Sequence, residues 1–167
     1  QHMMPGVFTA EALSYIGEHL RILSGFYGVL KPFDGVVPYR LEMQAKLSVN
    51  GCRDLYEFWG GRLYESICAK SRERGANTIV NLASREYARC IEKYLAPDDQ
   101  FLTVEFSELS GGQVKQKGTL AKMARGEMVR FLAENQICEP EGMQAFQGMG
   151  FSFVKERSSR QKYVFLR

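Results

Sequence analysis

Apolar residues first recur at helical spacing at Leu13, Ile16 and Leu20. Thr9 precedes them with a hydroxyl able to cap a helix, and Glu11 suits the positive end of the helix dipole. This predicts a helix ending near His19. A short apolar run, Leu20 to Leu23, stops at Ser24-Gly25, and Gly28, Pro32, Gly35 and Pro38 then demand a structured turn between Phe26 and Arg40. Asp54-Leu-Tyr-Glu57 reads as a capping box with Asp as the cap. Leu55, Phe58, Trp59, Leu63 and Ile67 follow on one face, predicting a helix to about Arg74 with Gly75 as its stop. Gly60-Gly61 inside that span costs about 1 kcal/mol per glycine and implies a bend or a close neighbour.

Further along, Thr78 to Ala83 reads as a short buried strand, and Ser84 as the cap of a helix reaching about Tyr94. Leu102, Val104 and Phe106 alternate with Phe101, Thr103 and Glu105, the pattern of a half-buried strand, and Gly111-Gly112 predicts a hairpin returning through Val114 to Lys117. A helix is expected from Thr119 to Asn135 and a short one after Pro140. Phe151 to Val154 and Tyr163 to Leu166 read as a closing hairpin. Strands and helices mix without a regular βαβ beat. The expected class is therefore α/β (mixed α+β), a single domain whose mixed sheet is flanked by helices.

The length of 167 residues, with 45% hydrophobic and 25% charged residues, allows a continuous core and argues against disorder. Gln1-His2-Met3 resembles an expression scar, which leaves residues 4–167 for the functional reading. No basic start leads into an apolar run, and nothing approaches the roughly 20 apolar residues of a membrane helix. A cytoplasmic protein with no membrane partner is expected. Cys52, Cys68, Cys90 and Cys138 form no C-x-x-C pair and fit scattered reduced thiols. Were one of them to sense peroxide, Cys90, beside Arg89 and near Lys93, has the most basic surroundings.

The net charge of +3 says little, but the charge is clustered. Between 111 and 130 stand Lys115, Lys117, Lys122, Arg125 and Arg130 against Glu127 alone. Residues 155–167 carry Lys155, Arg157, Arg160, Lys162 and Arg167 against Glu156, while 131–146 are acidic. At 100° per residue, the helix expected at 119–135 sets Leu120, Ala124, Met128 and Phe131 against Lys122, Arg125 and Arg130. Small Gly126 and Ala133 between the cations would let a phosphate backbone approach. Glu127 lies within i, i+3 reach of Arg130, so an internal ion pair is expected there. Arg85 and Arg89, on the helix opened by Ser84, and Arg40 form a second basic set. Phe26, Tyr27 and Tyr39, near Lys31 and Arg40, could stack on bases or simply pack the turn.

For catalysis the chain offers little. It contains no G-x-S-x-G, Walker loop, H-E-x-x-H or G-x-G-x-x-G, and His19 is the one histidine beyond the first three residues. No catalytic residue, metal ligand or cofactor is assigned. The polar residues Tyr39, Arg40, Glu42, Asn81, Ser84, Glu86 and Tyr87 could line an alternative ligand site, for an enzyme or an iron-handling protein, at a strand-to-helix junction. Arg40 and Glu42 fit an acid/base pair or a salt bridge equally well.

The string from Leu20 through Ser24-Gly-Phe-Tyr-Gly28 to Lys31-Pro-Phe-Asp34, with Pro38-Tyr-Arg-Leu-Glu-Met43, resembles the YaaA-like family of peroxide stress resistance proteins. Asp54-Leu-Tyr-Glu-Phe-Trp-Gly60, Val80-Asn-Leu-Ala-Ser84 with Glu86-Tyr87, and Lys122 with Ala124-Arg-Gly126, Met128 and Arg130-Phe131 agree in the same order. The resemblance covers nearly the whole chain from about residue 8. Gly61 stands where an acidic residue is common in the family, and Arg85 where Asp can occur. The family's opening strand, with its S-P-A-K-like motif, does not appear, so the chain is expected to be the C-terminal part of a longer fold. The resemblance implies protection against hydrogen peroxide, limitation of free iron, and binding of DNA (duplex, bubble or junction) through a positive cleft. It also implies a helix-hairpin-helix element, whose usual glycine pattern is not found here.

Overall fold

A computed structural model describes residues 2–69 and 77–167. The side chains that open the first helices do so by hydrogen bonding. Thr9 Oγ1 accepts from Ala12 N at 3.2 Å at the start of α1 (Ala10–His19). Ile22–Ser24 (β1) and Gly28–Leu30 (β2) form an antiparallel hairpin, so a short strand occupies part of the stretch from Phe26 to Arg40 expected as a turn. Asp54 Oδ1 accepts from Glu57 N at 2.8 Å, while Glu57 Oε2 reaches back to Arg53 N at 2.9 Å. The helix so opened stops early. Gly60 has φ +52°, a value L side chains resist, and divides the apolar stripe into α2 (Leu55–Trp59) and α3 (Arg62–Cys68). The expected continuation to Arg74 and Gly75 falls outside the described residues.

After β3 (Thr78–Asn81) comes α4 (Arg85–Glu92), entered at Ser84 without a side-chain cap bond. β3 is not the buried strand its apolar run suggested. Thr78 is exposed, Ile79 and Val80 are half-buried, and the buried residue is polar Asn81. Then follow β4 (Gln100–Ser110), β5 (Gln113–Lys115), α5 (Gly118–Glu134), β6 (Ser152–Phe153) and β7 (Lys162–Leu166). Gly111 and Gly112, at φ +59° and +77°, turn β4 into β5 as a two-residue hairpin loop of this kind requires.

The fold is mixed α/β, with a mixed sheet flanked by helices. β4 and β7 run parallel, pairing Val104 with Tyr163 and Phe106 with Phe165, and β6 adds to β7 antiparallel. By contact the chain divides into two compact units, residues 1–18 with 102–167, and residues 19–101. In the first, Leu102, Val104 and Phe106 point inward from β4, and Phe106 meets Phe146, Phe151 and Phe165 with ring centroids 5.2–5.8 Å apart. Ala121, Ala124, Met128 and Ala133 bury one face of α5. In the second, Met43, Leu55, Leu63, Tyr64, Cys68, Cys90 and Ile91 form the core. Trp59 closes over its hairpin, donating Nε1–H to Gly25 O at 3.0 Å. Among the described residues no helix is long and apolar enough to cross a membrane.

Candidate nucleic-acid interface

The basic residues predicted between 111 and 130 all fall in the first unit, but the structure uses them differently. Every residue from Leu109 to Thr119 is exposed, so the β4–β5 hairpin and the entry to α5 stand free in solvent. Lys115 on β5 and Lys122 in the first turns of α5 are exposed, and no carboxylate stands within ion-pair distance of either among the described residues. Lys117 is also exposed but its Nζ lies 2.7 Å from Glu108 Oε2. Glu108 takes Arg167 as well, at 2.6 Å, and the two cations hold its carboxyl below the usual carboxylate range.

Arg125 and Arg130 depart from the exposed stripe expected of them. Arg125 is half-buried, and its Nε is buried without a hydrogen-bond partner among the described residues. Burial pushes its guanidinium pKa down. Arg130 does form an internal ion pair, yet with Glu134 one turn further on, Nε to Oε1 at 2.8 Å, and not with Glu127. The small residues thought to make room for a phosphate backbone serve the chain's own packing. Ala133 is fully buried, and a Cβ on Gly126 would meet His2 Cβ at 3.0 Å and Met3 N at 3.2 Å. Periodicity could not reveal this, since the covering segment lies more than a hundred residues away. The hairpin itself, in contrast, was legible from Gly111-Gly112.

Arg40, Arg85 and Arg89 belong to the second unit and are exposed. Arg89 lies over the Tyr56 ring at 5.1 Å, a cation–π contact on its own helix's neighbour. The residues of the alternative ligand site share this unit. Glu86 Oε1 accepts from Gln44 N at 3.1 Å, and Asn81 Oδ1 accepts from Ala83 N at 3.0 Å. The Ser84 carbonyl accepts from Tyr87 N and Ala88 N, and Tyr39 Oη hydrogen-bonds Ser24 Oγ. Burial, with Glu86 and Tyr39 nearby, pushes the Tyr87 phenol up. Glu86 so anchors a loop to α4 and Tyr39 joins its loop to β1, while the Asn81 and Ser84 bonds are local. Exposed Arg40 and Glu42 form no ion pair with each other among the described residues. Cys90 is no reactive thiol. It is buried, and burial with Glu86 beside it pushes its pKa up to about 11 despite Arg89.

Fold and surface together define a mixed α/β protein carrying a solvent-exposed basic hairpin at the head of a long helix. Residues 1–157 match the family model described as Peroxide stress protein YaaA, and the chain belongs to that family. The matched stretch takes in Gln1-His2-Met3 as well. The chain is 53% identical over its entire length to a UPF0246 protein of Agathobacter rectalis, and 49% identical over 99% of its length to one of Lactiplantibacillus plantarum. A UPF0246 protein of Lachnoclostridium phytofermentans is 50% identical, again across the whole chain. This chain spans about 65% of the length of the first two relatives and 64% of the third.

Proposed function

We propose that this chain contributes to DNA binding in the response to hydrogen peroxide, through phosphate contacts made by the β4–β5 hairpin and the first turns of α5. The observation that carries this reading is the exposure of Lys115 and Lys122 with no neighbouring carboxylate among the described residues. Cations left unneutralised within a solvent-exposed stretch are free to replace the counterions of a phosphate backbone. Lys117 is tied to Glu108, whose side chain is only 12% exposed, so moving it toward phosphate would strand a buried carboxylate oxygen, and it is a weaker candidate than the other two. Arg130, committed to Glu134, and half-buried Arg125 contribute less to the site than the sequence pattern suggested. Exposed Arg40, Arg85 and Arg89, which belong to the other unit, are separate candidates for phosphate contact.

Backbone contacts of this kind carry little base information, so the expected preference is for shape and charge, whether duplex, bubble or junction. Cytoplasmic residence follows from the same reading. Among the described residues no group of three or more His, Cys, Asp or Glu lies close enough to hold a metal ion, and the proposal assigns no residue to iron. Fluorescence anisotropy with a bubble-containing duplex tests the site. Replacing Lys115 and Lys122 together by Glu is expected to weaken binding at least tenfold while leaving the melting temperature unchanged. Undiminished affinity in the double variant would remove this site.

A further inference from the structure

The second unit carries an apolar face that its own core does not use. Phe26 is 57% exposed, Phe33 65%, Val36 54%, Val37 71% and Tyr39 42%. All five belong to the β1–β2 turn and the segment following β2. The face is built rather than frayed. Ser24 Oγ accepts from Phe26 N at 3.2 Å and from Tyr27 N at 2.8 Å, and also bonds the Tyr39 hydroxyl. Tyr27 Oη accepts from Val37 N at 3.0 Å, and Asp34 Oδ2 from Lys31 N at 2.8 Å. The rings of Phe26, Tyr27 and Tyr39 pack on one another with centroids 4.9–5.4 Å apart. Large apolar side chains held outward by a hydrogen-bonded frame mark an interaction surface.

We propose that this face receives an apolar-faced element from the part of the longer relatives that this chain does not match, roughly a third of their length. One observation and one general argument favour that occupant. Val37, the most exposed of the five, and Val36 are aliphatic with no ring to stack on a base, which suits a packed polypeptide better than nucleic acid. A segment joined in the same chain also meets the face at high effective concentration, without the entropy a free partner loses. Preformed, the face needs little further ordering on docking. The inference is independent of the DNA-binding reading.

The test places cysteine at Val37 (Val37→Cys) in this chain and at the aligned position of the full-length Agathobacter rectalis relative. Alkylation is followed at that peptide by mass spectrometry. The expected result is labelling at least tenfold slower in the longer protein. Equal rates in the two would overturn the proposal. So would protection in this chain that disappears on dilution, which would mean a second copy, or protection that needs added DNA. Val37→Asp gives an independent reading, lowering the melting temperature of the longer relative while leaving that of this chain unchanged. A fall in neither protein would contradict the docking.

Discussion

Asp99 accepts four hydrogen bonds, from the Tyr64 hydroxyl, Asn77 N, Asn77 Nδ2 and Ala96 N. Burial pushes its carboxyl up, but these donors outweigh burial and hold it below the ordinary carboxylate value. The folded state therefore favours the ionised form. That contribution is complete above the unfolded pKa of about 3.9 and is lost as pH falls through the lower folded value. Asp99→Ala should cost on the order of 2 kcal/mol in urea unfolding at pH 7 by stranding those donors. The difference from the parent should shrink steadily at acid pH, and a pH-independent difference would contradict the assignment. At Cys90 the raised pKa makes a second prediction. Iodoacetamide at pH 8 should label exposed Cys138 well before buried Cys90, and Cys138→Ser should remove the fast phase.

Phe106 sits where β4, β7 and the rings of Phe146, Phe151 and Phe165 converge. Phe106→Ala should lower stability by about 3–5 kcal/mol in denaturant titration, because those rings cannot collapse into the space. The β1–β2 turn is pinned differently. Gly28 has φ +79°, and a Cβ there would meet Trp59 at 2.8–2.9 Å. Gly28→Ala should therefore destabilise by about 1–3 kcal/mol and change the Trp59 fluorescence of the native state. Much at this scale was legible beforehand. Thr9, Asp54 and Gly111-Gly112 act through local hydrogen bonds or backbone conformation, and each announces its element in the sequence. The parallel pairing of β4 with β7 was not legible. More than fifty residues and α5 lie between the partners, and the pattern of Tyr163 to Leu166 pointed only to Phe151 to Val154. The break at Gly60 was half-legible, because the glycine pair marked the place without giving the backbone angle.

Across the molecule, clustering of charge along the chain exceeds its clustering in use. Glu108, just before the basic run, holds Lys117 and Arg167, Glu134, one helical turn beyond Arg130, holds that residue, and residues 2–3, far away in the chain, cover Gly126. Of the basic run, Lys115 and Lys122 are left exposed with no carboxylate within ion-pair distance among the described residues. The most direct measurement is the dependence of DNA affinity on salt, for the parent chain and for Lys115→Gln and Lys122→Gln. Each lysine that neutralises a phosphate contributes about 0.9 to the slope of log affinity against log salt. Each variant is expected to lower the slope by close to one and to weaken binding to duplex and bubble alike. Slopes identical to the parent's would contradict the proposed phosphate contacts.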